Sequence, residues 1–349
     1  MDTQPAKATM DPRPEPFDIL IIAAPDFNLA ATTAFIDPFR AANYLEGAQR
    51  FRWTLSSEIG GAVTASNGLT VEAAALPDAR ERPDLAMVSS SWAPERHSSP
   101  GLRAYLRRLD RKGVRLGALD TGAFILADAG LLSGRRATVH YEHIDAMREL
   151  HGDVEVTEDL FVADWDRVTC CGGEASADLA LQIVSERLGA PVADAAARYI
   201  FHTAMRPYGA QQAPSLTEPL TRTVPETVRA AIRLMEAHLE EPLSVGEIGA
   251  RLGVSERHLA RLFARHLGMP TMIYYRDIRL DRARGLVTQT EVPLLEVAIA
   301  SGFRSQVAFS RAYKARFGLA PSADRREGRV PFEFRPWPMH PRRIDALSG

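Results

Sequence analysis

The first two hundred residues alternate short apolar runs with longer segments of helical periodicity. Segments at 29–45 (LAATTAFIDPFRAANYL) and 101–113 repeat apolar residues every three to four positions, as amphipathic helices do. The apolar runs have the length and composition of strands; they lie at 17–24, 51–57, 69–75, 84–91 and 114–120. A late strand pair is predicted at 154–171 and a closing helix at 176–189. Strands separated by helices predict an α/β domain with a mostly parallel sheet flanked by helices.

From residue 226 onward the pattern is helical almost throughout, whereas the preceding segment, 203–225, is polar, contains proline and lacks periodicity. A chain of 349 residues is also longer than one hydrophobic core supports. We therefore predict an α/β domain followed by an all-α domain. The predicted boundaries are a disordered lead at 1–16, the first domain at 17–202, a linker at 203–225, the second domain at 226–326 and a tail at 327–349.

The composition, with 46% hydrophobic and 25% charged residues, is that of an ordinary globular protein. The proline-rich, charged lead contains no apolar core, so a secretory signal is not expected. No stretch approaches the roughly 20 apolar residues of a membrane span. The only two cysteines, Cys170 and Cys171, are adjacent and cannot supply a disulfide framework. These features predict a cytoplasmic protein that does not bind membranes, and no cofactor or metal is expected.

Charge is distributed unevenly along the chain, although the formal net charge is only −2. Residues 1–221 contain 21 Lys and Arg against 30 Asp and Glu, a net charge of −9. Residues 222–335 contain 19 against 13, a net charge of +6. An acidic first part joined to a basic second part indicates two roles, the second directed at a polyanion.

Within the basic part, one pattern occurs twice. The segment 253–268 (GVSERHLARLFARHLG) aligns with 302–318 (GFRSQVAFSRAYKARFG) after one extra residue, Arg304. A helix-turn-helix needs a small residue where its helices cross and a glycine in the turn. Gly249 and Gly253 meet those needs in the first copy, as Ala298 and Gly302 do in the second. The sequence therefore predicts two helix-turn-helix units.

The second helix of each unit presents a polar face that suits a DNA major groove. Ser255 and Ser305 are predicted N-caps, and Arg and Gln side chains pair with base edges. The base-edge candidates are Arg257, Arg261, Gln306 and Arg311. The full predicted DNA-binding set is Ser255, Arg257, His258, Arg261, Arg304, Ser305, Gln306, Ser310, Arg311 and Lys314. The alternative is a helical bundle whose solvated face is basic, although two matched copies favour DNA binding.

The run at 279–322 (RLDRARGLVTQTEVPLLEVAIASGFRSQVAFSRAYKARFGLAPS) resembles the signature of AraC/XylS-type transcription regulators, and the resemblance covers about 222–326. The family pattern includes an arginine-rich linking helix, here with Arg279, Arg282 and Arg284. Three features depart from it: Gly249 stands in place of a usual alanine, Ala320 in place of a common serine, and ADRR (323–326) in place of an aromatic before the final arginine. We expect these to soften stability without affecting DNA binding.

The segment 117–130 (GALDTGAFILADAG) has the pattern of a strand, a sharp turn and a helix, which is that of a nucleophile elbow. With its continuation to 143 it resembles the elbow of the PfpI/class I glutamine-amidotransferase-like superfamily. FIDPFRAANYL (35–45) and RVTCCGGEASADLALQIV (167–184) extend the resemblance to GlxA-type regulators, which join this domain to an AraC-type domain. Enzymes of the superfamily have a cysteine at the elbow, where this chain has Asp120, and Asp37 matches their acid.

Because acyl transfer to an aspartate would form an anhydride, we predict a domain without catalysis that retains a ligand pocket. Each candidate has a simpler alternative: Asp120 as a helix cap, Asp37 as the start of a helical turn, Trp92 as packing and His140 in a local hydrogen bond. Two carboxylates in one pocket need a cation or a shared proton, and aromatic rings attract cations. The predicted lining comprises Phe27, Asp37, Ser90, Ser91, Trp92, Asp120, Thr121, His140, Tyr141 and Glu142.

The resemblance implies a regulator, an activator rather than a repressor, that responds to small nitrogen compounds such as carnitine, glycine betaine or basic amino acids. The expected partners are promoter DNA, a small-molecule inducer, RNA polymerase and a second copy of the chain in a homodimer. Two alternatives stay open at this point. One is an amidase- or glyoxalase-like hydrolase with a DNA-binding appendage, and the other is a constitutive DNA binder with an inert first domain.

Overall fold

The computed structural model describes residues 15–78, 82–164, 166–212 and 224–327. They form two compact units. The first comprises the residues up to His140 together with Asp159–Ala210, and the second comprises Tyr141–Glu158 and the residues from Gln211 onward. The predicted lead and tail lie almost wholly outside the described residues, as does the 213–223 part of the predicted linker.

An eight-stranded sheet forms the centre of the first unit, in the order β3-β4-β2-β1-β5-β6-β10-β9. The pairs from β4 through β10 are parallel, and only the outer strands β3 and β9 are antiparallel to their neighbours. The mostly parallel sheet predicted from the sequence is thus confirmed. Its strands are β1 (Phe17–Ala23), β2 (Phe51–Ser57), β3 (Ile59–Thr64), β4 (Thr70–Ala75), β5 (Leu85–Ser90), β6 (Arg115–Asp120), β9 (Phe161–Asp164) and β10 (Arg167–Cys170).

Helices flank this sheet, as the sequence predicts. Alternate residues of β1, such as Ile19 and Ile21, pack with Phe35 and Phe39 of the first helix into one buried cluster. The helices of the first unit are α1 (Leu29–Glu46), α2 (Pro94–His97), α3 (Pro100–Arg111), α4 (Gly122–Asp128), α6 (Ala175–Leu188) and α7 (Ala190–Tyr199), and a two-residue strand, β7, spans Arg136–Ala137. Among the described residues, no helix is long and apolar enough to cross a membrane.

The second unit is helical and contains two hydrophobic cores joined by one long helix, α11. Tyr274, Tyr275 and Ile278 at its start belong to the first core, whereas Leu280 and Val287 belong to the second. Its helices are α5 (Ile144–Leu150), α8 (Glu226–Glu236), α9 (Val245–Leu252), α10 (Glu256–Leu267), α11 (Thr271–Gln289), α12 (Leu294–Ala300), α13 (Gln306–Phe317) and α14 (Pro321–Glu327), with a 3₁₀ turn at Tyr141–His143 and a short strand, β8, at Glu155–Val156.

Three features are not apparent from the sequence pattern. The second and third residues of strand β3, Gly60 and Gly61, are glycines of positive φ, so the strand has no clear alternation of apolar residues. The sequence pattern predicts that the closing helix ends at Gly189, but a further helix, α7, begins directly after this residue. The segment Tyr141–Glu158, which the sequence assigns to the first domain, groups with the second unit. There Asp145 Oδ2 lies 3.3 Å from Arg282 Nε of α11.

Candidate functional sites

Both predicted helix-turn-helix units are present, as α9–α10 and α12–α13. In the first, a Cβ atom on Gly249 would lie 2.6 Å from the backbone oxygen of Val254, so no larger residue fits without a backbone shift. In the second, Gly302 has φ of +72°, and a Cβ there would lie 2.4 Å from the Leu239 carbonyl oxygen. The close approach of the chain at position 249 favours glycine there, which argues against the expectation that this glycine softens stability.

The predicted N-caps are confirmed. Ser255 Oγ accepts a hydrogen bond from the His258 amide at 3.2 Å, and Ser305 Oγ accepts one from the Ala308 amide at the same distance. Both serines have extended backbone angles, as N-cap residues do. The two caps fix the first turn of α10 and α13 in the same way, so equivalent positions on the two helices can be compared directly.

The polar faces of α10 and α13 point away from the cores, as the sequence predicts. Leu259, Phe263 and Leu267 are buried on α10, and Phe309 and Tyr313 are buried on α13. His258 and Ser310 are partly buried, and Arg261 Nη2 lies 2.9 Å from His258 Nδ1. The other predicted DNA-binding residues are exposed: Ser255, Arg257, Arg261, Arg304, Ser305, Gln306, Arg311 and Lys314.

The arginines of the linking helix have an internal role that the sequence does not reveal. Arg279 Nη1 donates to the Gly302 carbonyl at 2.8 Å, and Arg282 Nη1 donates to the Ala300 carbonyl at 2.9 Å. Arg284 Nε donates to the buried carboxylate of Asp324 at 2.9 Å. The first two bonds fasten the second helix-turn-helix unit to α11, and the third reaches α13 through Asp324, which also accepts a hydrogen bond from Tyr313 Oη at 2.8 Å. The arrangement of α10 and α13 therefore depends on the linking helix.

Strand β6 ends at Asp120 in a sharp turn, and α4 begins two residues later. Asp120 has φ of +58°, a left-handed conformation that costs an aspartate roughly 1–3 kcal/mol unless its surroundings impose it. The predicted elbow is therefore confirmed. Asp120 Oδ2 accepts a hydrogen bond from Asn28 Nδ2 at 2.6 Å, so its carboxylate has a partner across the sheet rather than only in its own helix.

Asn28 is a site residue that sequence reasoning missed. Its Oδ1 caps α1 by accepting from the Ala31 amide at 3.0 Å, which leaves Nδ2 free to reach Asp120. An asparagine directly before a helical pattern is a known start signal and indicates its cap role. The second bond depends on the neighbouring loops, which local sequence does not reveal.

Asp120 is only 4% exposed, and burial raises its pKa from 3.8 to about 7. Hydrogen bonds from Asn28, the Ser91 side chain and the Thr121 amide favour the ionised form and oppose this effect. On balance, burial favours the protonated carboxyl group over its charged form. A cation beside it would shift the balance toward the charged form.

Backbone strain concentrates around this edge of the sheet. Four described residues other than glycine have positive φ, and three of them, Asp26, Ala93 and Asp120, lie at or just beyond the carboxyl ends of β1, β5 and β6. These strands are parallel neighbours. His97 Nε2 lies 3.6 Å from Asp26 Oδ2, and burial lowers the pKa of His97. Strain of this kind is typical of ligand sites, and neither Asp26 nor His97 was predicted.

Strands β5 and β6 bring several predicted pocket residues together. Ser90 pairs with Asp120 in the strand register, and Thr121 Oγ1 donates to the Ser91 carbonyl at 2.7 Å. Phe27, next to Asn28, is fully buried. The remaining member of this edge, Trp92, is partly buried.

Four other predicted residues have different surroundings. Asp37 is half-exposed, pairs with Arg40 Nε at 2.6 Å, and lies about 12 Å along α1 from its first residue. Burial lowers the pKa of His140 to about 4. Tyr141 and Glu142 belong to the second unit.

The two cysteines lie closer to Asp120 than their sequence separation indicates. Strand β10 pairs with β6, so Cys170 is opposite Leu119. A Cβ on Gly172 would lie 3.0 Å from Asp120 Cβ. The adjacent Cys170 and burial raise the pKa of Cys171, with Asp120 contributing in the same direction. A raised pKa favours the thiol over the nucleophilic thiolate.

Access to Asp120 is restricted in this conformation. Thr121 is fully buried, as is Ser90. A cavity of about 300 Å³ lies on the sheet face beside Asp18, Arg52 and Ser56, and its lining does not include Asp120. Within the described ranges, no group of three His, Cys, Asp or Glu side chains is placed to hold a metal ion.

Comparison with known proteins identifies both parts of the chain. Residues 18–186 match the DJ-1/PfpI family, and residues 248–327 match a helix-turn-helix domain. The chain is 38% identical to the HTH-type transcriptional regulator CdhR of Pseudomonas aeruginosa, over 88% of this chain and 91% of that protein. It is 35% identical to GlxA of Rhizobium meliloti, over 86% and 93%. An AraC family regulator from Pseudomonas putida aligns with 53% of this chain and 100% of its own, at 26% identity and a TM-score of 0.49.

Proposed function

Because the chain belongs to the family of HTH-type transcriptional regulators that join a DJ-1/PfpI domain to an AraC-type helix-turn-helix domain, we propose that a small metabolite bound beside Asp120 controls how it binds promoter DNA. The observation that carries this proposal is the elbow itself. It holds a buried carboxyl group, with pKa near 7, in a left-handed turn where related enzymes have a nucleophile.

On the DNA side, α10 and α13 act as recognition helices. The exposed Arg257, Arg261, Gln306 and Arg311 contact base edges, and Lys314 contacts phosphate. Helix α11 fastens the second helix-turn-helix unit through Arg279, Arg282 and Arg284. Helices α10 and α13 therefore enter successive major-groove faces about one turn of DNA, roughly 34 Å, apart. A homodimer would contact twice this length of operator.

The first unit has no catalytic role in this proposal. Asp120 replaces the elbow cysteine, and Cys170 and burial raise the pKa of the nearby Cys171, which disfavours a nucleophilic thiolate there. The relatives that span most of the chain are named transcriptional regulators. The DJ-1/PfpI family includes enzymes, but no arrangement around Asp120 favours the amidase- or glyoxalase-like alternative.

The proposed ligand is a small compound with a positively charged nitrogen, such as a quaternary amine or a basic amino acid. Burial disfavours the charged form of this carboxyl group, and a positive partner offsets that penalty. Trp92 adds an aromatic surface for the cation. Binding requires the loops around Asp120 to open, and this opening couples ligand binding to a conformational change. The regulator then activates transcription together with RNA polymerase in the cytoplasm.

A melting-temperature screen of the purified full-length chain tests this proposal. The panel contains carnitine, glycine betaine, dimethylglycine and arginine, with uncharged analogues as controls. A ligand present at a hundred times its Kd stabilises its domain by about 2.7 kcal/mol. We expect a cationic ligand to raise the Tm of the wild type and to lose that effect in Asp120→Ala. The Asp37→Asn variant shows whether the second predicted carboxylate contributes.

No shift with any cationic compound, or an equal shift in Asp120→Ala, would rule out the proposed site.

A further inference from the structure

The recognition helix of the second helix-turn-helix unit, α13, carries one exposed large apolar side chain, Val307. It is 80% exposed, more than any other large hydrophobic residue in the described part of the second unit. A β-branched residue in an exposed helical turn contributes no packing and has poorer helix propensity than a polar straight-chain residue. Folding of the domain therefore does not explain valine at this position.

Val307 lies where a recognition helix contacts bases. It is the second residue of α13, directly after the cap made by Ser305 and the Ala308 amide. The first turn of a recognition helix is the part that reaches base edges in the major groove. One turn further along, at the positions that share its face, are Ser310 and the exposed Arg311.

The two helix-turn-helix units differ in chemistry at this position. Val307 is two residues beyond the capping Ser305, and Arg257 is two residues beyond the capping Ser255. Because both serines cap in the same way, the two side chains leave equivalent points of their helices. Arg257 presents five donors that suit guanine O6 and N7, whereas Val307 presents only methyl groups.

The major groove offers one apolar feature for such a group to contact, the C5 methyl of thymine. We infer that Val307 reads a thymine methyl in the part of the operator bound by α13, while Arg257 reads a guanine at the equivalent base pair bound by α10. This inference rests on the proposed use of α10 and α13 as recognition helices. It predicts an asymmetric operator, so each chain binds its site in one orientation.

The test begins with selection of preferred duplexes from a random pool by the full-length protein. Each thymine of the selected operator is then replaced singly by deoxyuridine, which removes only the C5 methyl. Loss of one methyl contact weakens binding roughly fourfold, taking about 0.8 kcal/mol for a buried methyl group. We expect one thymine in the α13 segment to show this loss with the wild type and no loss with Val307→Ala.

Two further variants make the result specific. Ile299→Ala removes another exposed apolar side chain, 53% exposed on the neighbouring α12, and should retain the full deoxyuridine effect. Val307→Arg should change the preferred base pair at that position from thymine to guanine. Both variants alter exposed side chains, so both are expected to fold.

The outcomes separate the inference from the function on which it rests. Absence of sequence selection by the wild type would overturn the recognition-helix proposal itself. If the wild type selects an operator and Arg261→Ala and Arg311→Ala weaken it, but no thymine couples to Val307, the recognition helices stand and the role of Val307 is wrong. Equal deoxyuridine effects in the wild type and Val307→Ala would also overturn that role.

Discussion

Replacing Asp120 by asparagine is expected to stabilise the first unit, and the gain should increase with pH. Asparagine keeps the shape of the side chain and retains an oxygen that accepts from Asn28 Nδ2. It removes the ionisable group, whose pKa burial raises from 3.8 to about 7. Below the unfolded-state pKa the carboxyl is protonated in both states and causes no difference. As pH rises toward 7, the unfolded chain releases its proton while the folded chain retains it, so the wild type loses stability.

The size of the effect follows from the two pKa values, 3.8 and about 7. One pKa unit corresponds to about 1.36 kcal/mol, so the full loss by the wild type is on the order of 4 kcal/mol once pH exceeds 7. Between about pH 5 and pH 8 the unfolding free energies of the two proteins should diverge by roughly 3 kcal/mol. The buried Asp120 carboxyl group thus lowers the unfolding free energy of the wild type above neutral pH, at the position where we propose that a cation binds.

Urea unfolding of the full-length chain, followed by tryptophan fluorescence, measures this difference. Of the four tryptophans, Trp53, Trp92 and Trp165 belong to the first part of the chain. A Trp337→Phe background removes the fourth, so the signal reports the first unit. The half-exposed Asp37 provides the control, since Asp37→Asn changes another carboxylate of the first unit that pairs with Arg40 on the surface of α1. A constant gap between wild type and Asp120→Asn from pH 5 to pH 8 would refute the reasoning.

Three further changes test the second unit. Gly249→Ala should lower the Tm of the second unit and its unfolding free energy by about 1–3 kcal/mol, because the new Cβ meets a backbone oxygen at 2.6 Å. Gly246→Ala on the same helix meets only a movable glutamate side chain and should be neutral or stabilising. Equal losses in the two variants would contradict the steric explanation. Asp324→Asn should lower the free energy of unfolding in urea by about 3 kcal/mol, since it leaves the Arg284 guanidinium without its buried charged partner. An unchanged urea midpoint would show that this ion pair contributes nothing to stability. Lys314→Ala should weaken binding to all DNA sequences alike and lower the salt dependence by about one unit in titrations at several salt concentrations; a sequence-dependent effect would place Lys314 on a base instead.

The features that the sequence predicts well are those set by neighbouring residues. The N-cap roles of Ser255 and Ser305 follow from their positions just before helical patterns, and both caps are present. The elbow at Asp120 follows from an apolar strand that changes abruptly into a helix. These are local consequences of helix and strand periodicity, so one sequence is enough to find them.

The features that the sequence does not predict depend on which strands and helices become neighbours. Asn28 and His97 reach the Asp120 edge because β1, β5 and β6 are adjacent in the sheet, although far apart in the chain. Cys171 is near Asp120 because β10 pairs with β6. Arg279 likewise finds its partner, the Gly302 carbonyl, only once the second helix-turn-helix unit has folded against α11. Strand order and helix packing of this kind are not encoded in local periodicity.

The most direct test of the central claim combines ligand and operator in one measurement. The full-length chain is titrated onto its selected operator with and without the compound that raises its Tm, and the affinity and footprint are compared for the wild type and Asp120→Ala. We expect the compound to change operator binding by the wild type and to have no effect on Asp120→Ala, which should still bind the operator. An equal response from both proteins, or no response from the wild type, would contradict control of DNA binding through the Asp120 site.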